Sequence, residues 1–396
     1  MVNVLFLNSH PIQYFAPLYQ EIEKHPSFSV TALYCSMHGL SAERDREFNT
    51  AVKWDIPMLA GYSHIFLKNY ALRPTLYRLW GLLNLGIIPF LFKAPKSILV
   101  VHGWGYLTHL LALLAGRLAG HIVCLRGENP ASHERAHKGL TWHLKRLFIR
   151  GFLAPLSHYI FYIGKENRAF YLQYGVKESK LLFAPYAVDN QRFQKEYAAL
   201  RPKREELKTA LGLPAGKTIV LFSGKYILKK RPLDLLKAFQ QCQHRNKACL
   251  VFMGDGALRP EMEAFIAENK LDGVILTGFV NQSKVAEYYT VAELFVLCSQ
   301  EGETWGLSAN EAMNFSLPLL LSSLTGSAAD LVGPGENGWI FKTGDIAGLA
   351  RKLDTVLALP KARLAEMGAC SQKKVEGYSY RQIIEALEVV RTKSFA

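Results

Sequence analysis

Glu303 and Glu311 stand with seven residues between them, in Glu-Thr-Trp-Gly-Leu-Ser-Ala-Asn-Glu. The apolar run Leu294–Cys298 before them predicts a buried strand, and Leu317–Leu321 after them predicts another. Between the two, helix-compatible residues run from Leu307 to Phe315. A strand–loop–helix–strand unit of this kind brings a helix N-terminus to an anion. Gly306 lets the backbone come close to a ligand, and free N–H groups at Trp305–Ser308 would point at a phosphate. The two carboxylates could then hold hydroxyls on either side of it. A ligand with a phosphate in the middle and hydroxyls at both ends has the anatomy of a nucleotide-sugar. On a solvated amphipathic helix the same two glutamates would have no such role.

The segment Glu303-Thr-Trp-Gly-Leu-Ser-Ala-Asn-Glu311-Ala-Met resembles the Glu-x7-Glu signature of retaining GT-B glycosyltransferases, specifically family 4, the glycosyl transferases group 1. The resemblance implies that Glu303 contacts donor-sugar hydroxyls and that Glu311 holds the ribose. The surrounding Thr304, Trp305, Gly306 and Leu307 would line the donor. Ser316 stands where the family usually has glycine before the Pro of the next strand, so the helix is expected to close differently. A second basic stretch, Ser223-Gly224-Lys225-Tyr-Ile-Leu-Lys229-Lys230-Arg231-Pro232, follows the expected strand Thr218–Phe222. It resembles the family's Gly-Arg…Lys-Gly element, which implies a diphosphate site at Gly224, Lys225 and Lys230. Lys225 replaces a bidentate arginine fork by a point charge. The turns Gly254-Asp255-Gly256 and Gly278-Phe279-Val280 follow the strands Cys249–Met253 and Val274–Thr277. By resemblance they line the base and ribose.

The implied fold is α/β, with two Rossmann-like doubly wound domains facing across a cleft. Residues 1–200 would bind the acceptor and residues 201–378 the donor, with the final helix, 379–396, packing back on the first domain. Strands are predicted at Val2–Leu7, Ser29–Tyr34, Ile98–Val101, His121–Leu125 and Tyr159–Ile163. Leu76–Phe92 reads as one Leu-rich helix, residues 40–75 as irregular, and Leu107–Leu118 as an apolar helix. The first strand runs into Ser9-His10-Pro11, where the family is frequently Gly-rich; His10 could touch the reaction centre or simply cap the turn. His102 ends one strand and Arg126-Gly-Glu128 follows another. These three are the candidate acceptor contacts, although the family often carries a histidine where Arg126 and Glu128 stand.

The chain of 396 residues is long enough for two cores, and its 49% hydrophobic content describes a globular protein. Met1–Asn8 already reads as a strand, so no leader peptide is expected, and the run Leu79–Phe92 is too short to span a bilayer. Six scattered cysteines without a Cys-x2-Cys pair read as reduced core residues of a cytoplasmic protein. No Asp-x-Asp pair offers a metal site. The resemblance implies a metal-independent transfer with no cofactor and with a UDP- or GDP-linked sugar as co-substrate. It also implies no consistent protein nucleophile. The net charge of +14 is uneven: residues 51–150 hold 13 Lys/Arg against 3 Asp/Glu. That window would suit an anionic membrane surface at the inner face of the plasma membrane, a phosphorylated or lipid-linked acceptor, or nucleic acid. A merely solvated face is the alternative, and the aromatic–basic repeats of known nucleic-acid motifs are absent, which speaks against nucleic acid. The pattern leaves two other classes open. One is a GT-B-fold sugar-nucleotide epimerase or phosphorylase. The other is a non-enzymatic basic membrane- or nucleic-acid-binding module.

Overall fold

The structure is a computed structural model that describes residues 1–40, 43–45, 50–52, 55–134 and 139–395. The strands in chain order are β1 (Val2–Asn8), β2 (Phe28–Tyr34), β3 (Glu43–Asp45), β4 (Thr50–Val52), β5 (Ser63–Phe66), β6 (Ile98–His102), β7 (Ile122–Arg126), β8 (Tyr159–Tyr162), β9 (Leu181–Phe183), β10 (Thr218–Ser223), β11 (Ala248–Met253), β12 (Val274–Leu276), β13 (Leu294–Leu297), β14 (Leu319–Ser322) and β15 (Gly338–Phe341). The chain divides into two compact units. One comprises Met1–Ser41, Ile56–Tyr186 and Tyr380–Ala396; the other comprises Ala42–Asp55 and Ala187–Ser379. The last segment of the second unit thus begins at Ala187, earlier in the chain than the expected residue 201.

In the first unit the described strands form a seven-stranded sheet in the order β5-β2-β1-β6-β7-β8-β9. All its pairings are parallel. Strands such as Val4–Leu7 and Ile98–Val101 are apolar throughout because helices cover both faces of a parallel sheet. The chain order reverses between β1 and β6, which is where a doubly wound sheet opens a crevice at its carboxyl edge. Asn8, Tyr34, His102 and Arg126 end their strands on that edge. The terminal helix Tyr380–Ser394 belongs to this unit and packs on the helix Phe15–Glu23 and on β9.

Two expectations change here. Leu76–Phe92 is not one helix. A single 3-10 turn, Leu79–Gly81, gives way to extended backbone at Leu82, and the helix starts only at Ile87. The cause is Asn84, whose buried side chain donates to the carbonyls of Cys35 (3.0 Å) and Leu67 (2.7 Å), while its own N–H donates to Thr108 Oγ1 (2.8 Å). An amide engaged in this way competes with helix formation. Within the stretch read as irregular, β5 adds an edge strand to the sheet, and β3 and β4 pair as a short antiparallel hairpin.

In the second unit the described strands form a parallel six-stranded sheet, β12-β11-β10-β13-β14-β15. Numbered from its own first strand this is the order 3-2-1-4-5-6 of a dinucleotide-type fold, with the reversal between β10 and β13. The two stretches singled out for chemistry follow those two strands. The cysteines are all free, five of them buried.

Candidate functional site

The site grows from the carboxyl edge of β10 and β13. After β10, Gly224 and the half-buried Lys225 lead into a short turn, Leu228–Lys230. Arg231 adopts a left-handed conformation (φ 48°), and Pro232 opens the helix Pro232–Gln241. Arg231 ties the two loops together: its Nη1 donates to Gln300 Oε1 at 2.7 Å and its Nε to Asp234 Oδ2 at 2.6 Å. The N–H of Gln300 donates to the carbonyl of Lys229 at 2.9 Å. This clamp lays Lys230 against Glu303, and the two form an ion pair.

Glu303 is only 7% exposed. Burial pushes its carboxyl up, but the charges of Lys230 and Lys229 and the hydrogen bonds from Lys230 and Ser299 outweigh it. The net result lies below the ordinary value of 4.5. Ser299 Oγ donates to Glu303 Oε2 at 3.2 Å. From below, the loop after β14 supports the turn: Gly326 N–H donates to Glu303 O (3.1 Å) and Ser327 N–H to Trp305 O (3.1 Å). Gly306 then starts the helix Leu307–Asn314 with φ 91°, a left-handed conformation that favours glycine. Gly306 at the N-cap has no side chain to cap this helix. Its first amides and its dipole are therefore aimed out of the turn at whatever anion arrives. The Trp305 side chain is core, donating from Nε1 to Asn310 Oδ1 at 2.8 Å, so this residue can offer a ligand only its backbone.

Glu311, one helical stretch on, is 3% exposed and accepts from the Tyr289 hydroxyl at 2.7 Å. The turns after β11 and β12 join the same edge: Tyr226 N–H donates to Asp255 O at 2.8 Å and Gly254 N–H to Gly278 O at 3.0 Å. Asp255 is held within its own turn by Arg259 Nη1 (3.0 Å) and Gly256 N–H (2.8 Å). Phe279 and Val280 are half-buried beside it in sequence. The helix Leu307–Asn314 closes as a Schellman motif, with Leu317 N–H donating to Ala312 O (3.2 Å) and Ser316 N–H to Met313 O (3.1 Å). Ser316 occupies the left-handed position at φ 56°. The expectation of a different closure is thus corrected: serine takes the conformation that glycine would.

Sequence reasoning paired neither Lys230 with Glu303 nor Tyr289 with Glu311, and it overlooked Ser299, Arg231, Gln300 and the 325–327 loop. Arg231 adjoins Lys230 and could have been suspected. Tyr289 gives no local signal, because its partner lies 22 residues away on another element.

The first unit gathers the remaining candidates at its own sheet edge. His10 shares a hydrogen bond between its Nδ1 and Ser9 Oγ (2.9 Å) and packs edge-on against His38. Burial, then the His38 charge, pulls its pKa down to about 4. The helix that follows has Tyr14 at its N-cap, without a side-chain cap hydrogen bond among the described residues. His102 is half-buried, 3.5 Å from the Tyr19 hydroxyl, and burial, then the charges of Arg126 and His109, pull its pKa well below the ordinary value. Arg126 is 3% exposed, and Glu128 accepts from the Tyr186 hydroxyl.

Residues 203–372 match the family model described as Glycosyl transferases group 1. Among curated proteins, the sulfoquinovosyl transferase SQD2 of Arabidopsis thaliana is 26% identical over 197 residues, 49% of this chain and 36% of that enzyme. The D-inositol 3-phosphate glycosyltransferase of Kineococcus radiotolerans is 27% identical over 248 residues, 57% of this chain and 55% of that one. The chain thus spans about a third to a half of the length of these relatives. Among solved structures, Anabaena Alr3699/HepE in complex with UDP and glucose matches with a TM-score of 0.72 at 13% identity, covering 99% of this chain and 100% of that one. The fold is that of the GT-B glycosyltransferases: two parallel-sheet α/β domains.

Proposed function

We propose that the protein is a retaining family 4 glycosyltransferase that moves a sugar from a nucleotide-sugar to an acceptor in cell-surface polysaccharide, lipopolysaccharide or glycolipid biosynthesis. One observation carries the reading. The Lys230–Glu303 pair sits at the reversal of a 3-2-1-4-5-6 sheet, beside an uncapped helix N-terminus whose helix also carries Glu311. Glu311 holds the ribose hydroxyls, with Tyr289 fixing the carboxylate. The helix amides and Gly224 cradle the diphosphate, and Lys225 and Lys230 neutralise the charge that grows on it as the glycosidic bond breaks. Glu303, kept ionised by Lys230, takes hydroxyls of the transferred sugar. The turns at Gly254–Gly256 and at Phe279 and Val280 border the base. No metal and no cofactor enter this scheme. The donor is UDP- or GDP-linked; the Anabaena structure with UDP and glucose supports a nucleotide-sugar of this type. The acceptor lies against the first unit, at His102, Arg126 and Glu128, with His10 nearby in the same loop set. The enzyme works in the cytoplasm at the membrane face.

The test is a calorimetric screen of UDP-, GDP-, ADP- and CMP-sugars. One donor class should bind, and Glu311→Ala should weaken it by about 10- to 100-fold, since a charge-assisted hydrogen bond contributes roughly 1.5–3 kcal/mol. Unchanged affinity in that variant would remove the assignment.

A further inference from the structure

Arg126 ends β7 as a cation without a counter-charge. Its Nη2 donates to Pro185 O at 3.1 Å, but among the described residues Nε and Nη1 have no hydrogen-bond partner, and both atoms are buried. Its guanidinium lies 4.8 Å from the Tyr186 ring centre and 5.5 Å from that of Phe15. The Tyr19 hydroxyl donates to Asn8 Oδ1 at 3.0 Å, the Glu128 carboxylate accepts from Tyr186, and burial and the charge of Arg126 pull the His102 pKa well below its ordinary value. Among the described residues no carboxylate forms an ion pair with Arg126. Arginine does not discharge by losing a proton, and a buried unpaired charge is far more costly than a paired one. Aromatic faces relieve part of that cost but leave the open donors unsatisfied. Strained polar arrangements of this kind persist where a ligand completes them.

We propose that Arg126 is the residue that reads an anionic group on the acceptor, so that the acceptor is an acidic saccharide, bearing either a carboxylate or a phosphate. This rests on the glycosyltransferase reading and names the substrate class of its acceptor site. The anion supplies the missing counter-charge and accepts from the donors that Arg126 leaves open. The half-buried Tyr186 ring, which lies over the guanidinium and is held by Glu128, is the cover that moves aside.

The experiment titrates the full-length chain with sodium glucuronate, glucose 6-phosphate and neutral glucose at matched ionic strength, with UDP in parallel. At least one of the two anions should bind ten-fold or more tightly than glucose, and which one it is separates carboxylate from phosphate. Arg126→Met should abolish the preference. UDP binding reports on the other unit. Absence of any anion preference in the wild-type protein while UDP binds overturns this inference alone. An anion preference without UDP binding overturns the nucleotide-sugar reading and leaves Arg126 as an anion site. A preference that survives Arg126→Met also overturns the proposal. If that variant does not fold, Arg126→Lys decides, because it keeps the charge and loses the planar fork. A preference undiminished in the lysine variant overturns the proposal, whereas a reduced one supports it.

Discussion

Lys230 and Glu303 depend on each other. A carboxylate this buried would on its own be pushed toward its neutral form; the adjacent ammonium reverses that. The depressed pKa means that Glu303 stabilises the fold above its unfolded value and that this contribution is lost as pH falls through the lower, folded value. Removing the lysine changes the sign. In Lys230→Ala burial dominates, and the carboxyl takes up a proton at higher pH than in the wild type. The variant should therefore show two effects: a fall in kcat larger than the rise in KM, because leaving-group charge grows in the transition state, and an acid limb of the kcat/KM profile displaced upward. Glu303→Gln in the same background should cancel the displacement. A profile that keeps its acid limb in Lys230→Ala, with only KM raised, would make Lys230 a tether and nothing more.

The helix Leu307–Asn314 shows what an element tells in advance and what it withholds. Its left-handed closing residue is a serine, which costs about 1–2 kcal/mol where glycine costs almost nothing. Ser316 Oγ recovers part of this by its hydrogen bond with Gln372 Oε1 at 2.9 Å. Ser316→Ala loses the bond and keeps the strain; Ser316→Gly loses the bond and sheds the strain. The glycine variant should thus be more stable than the alanine variant by roughly 1 kcal/mol in urea unfolding, and equal midpoints would mean that the strain is not real. The strands around this helix were legible in the sequence because a fully covered parallel strand is apolar throughout, as Leu294–Leu297 and Leu319–Leu321 are. The turn before the helix was legible because its left-handed backbone at Gly306 favours glycine. Leu76–Phe92 misled because Asn84 spends its hydrogen bonds on Cys35 and Leu67, both distant in the chain. Edge strand β5 escaped for another reason. Ser63, His64 and Ile65 are exposed, so burial left no pattern in the residue types.

Charge and exposed apolar surface are concentrated in the first unit. On the helix Leu140–Phe148, Leu140 is 75% exposed, Leu144 57% and Leu147 70%, positions that fall on one helical face. The cations of the same helix turn away from that face: Lys145 pairs with Glu134, and Arg146 lies over the Trp142 ring. Leu114 and Leu118 on the helix Leu107–Leu118 and Phe92 on the neighbouring helix Ile87–Lys93 are also open to solvent. Among the described residues no helix is long and apolar enough to cross a membrane. A helix with a row of exposed leucines, in a stretch of the chain with 13 Lys/Arg against 3 Asp/Glu over residues 51–150, suits a different role, lying in the interface with its apolar face among the acyl chains. Each basic side chain near an anionic surface adds on the order of 1 kcal/mol, and the leucines add more on insertion. The prediction is that the protein floats with vesicles containing anionic lipid, that binding fades as salt rises, and that Leu144→Glu combined with Leu147→Glu releases it. Because those side chains are already solvated, the double variant should keep its fold and its nucleotide binding. Flotation that persists in the double variant would move the contact elsewhere on the unit. Failure to float with anionic vesicles at low salt would leave a soluble acidic saccharide as the acceptor, and the exposed leucines would then have no membrane to meet.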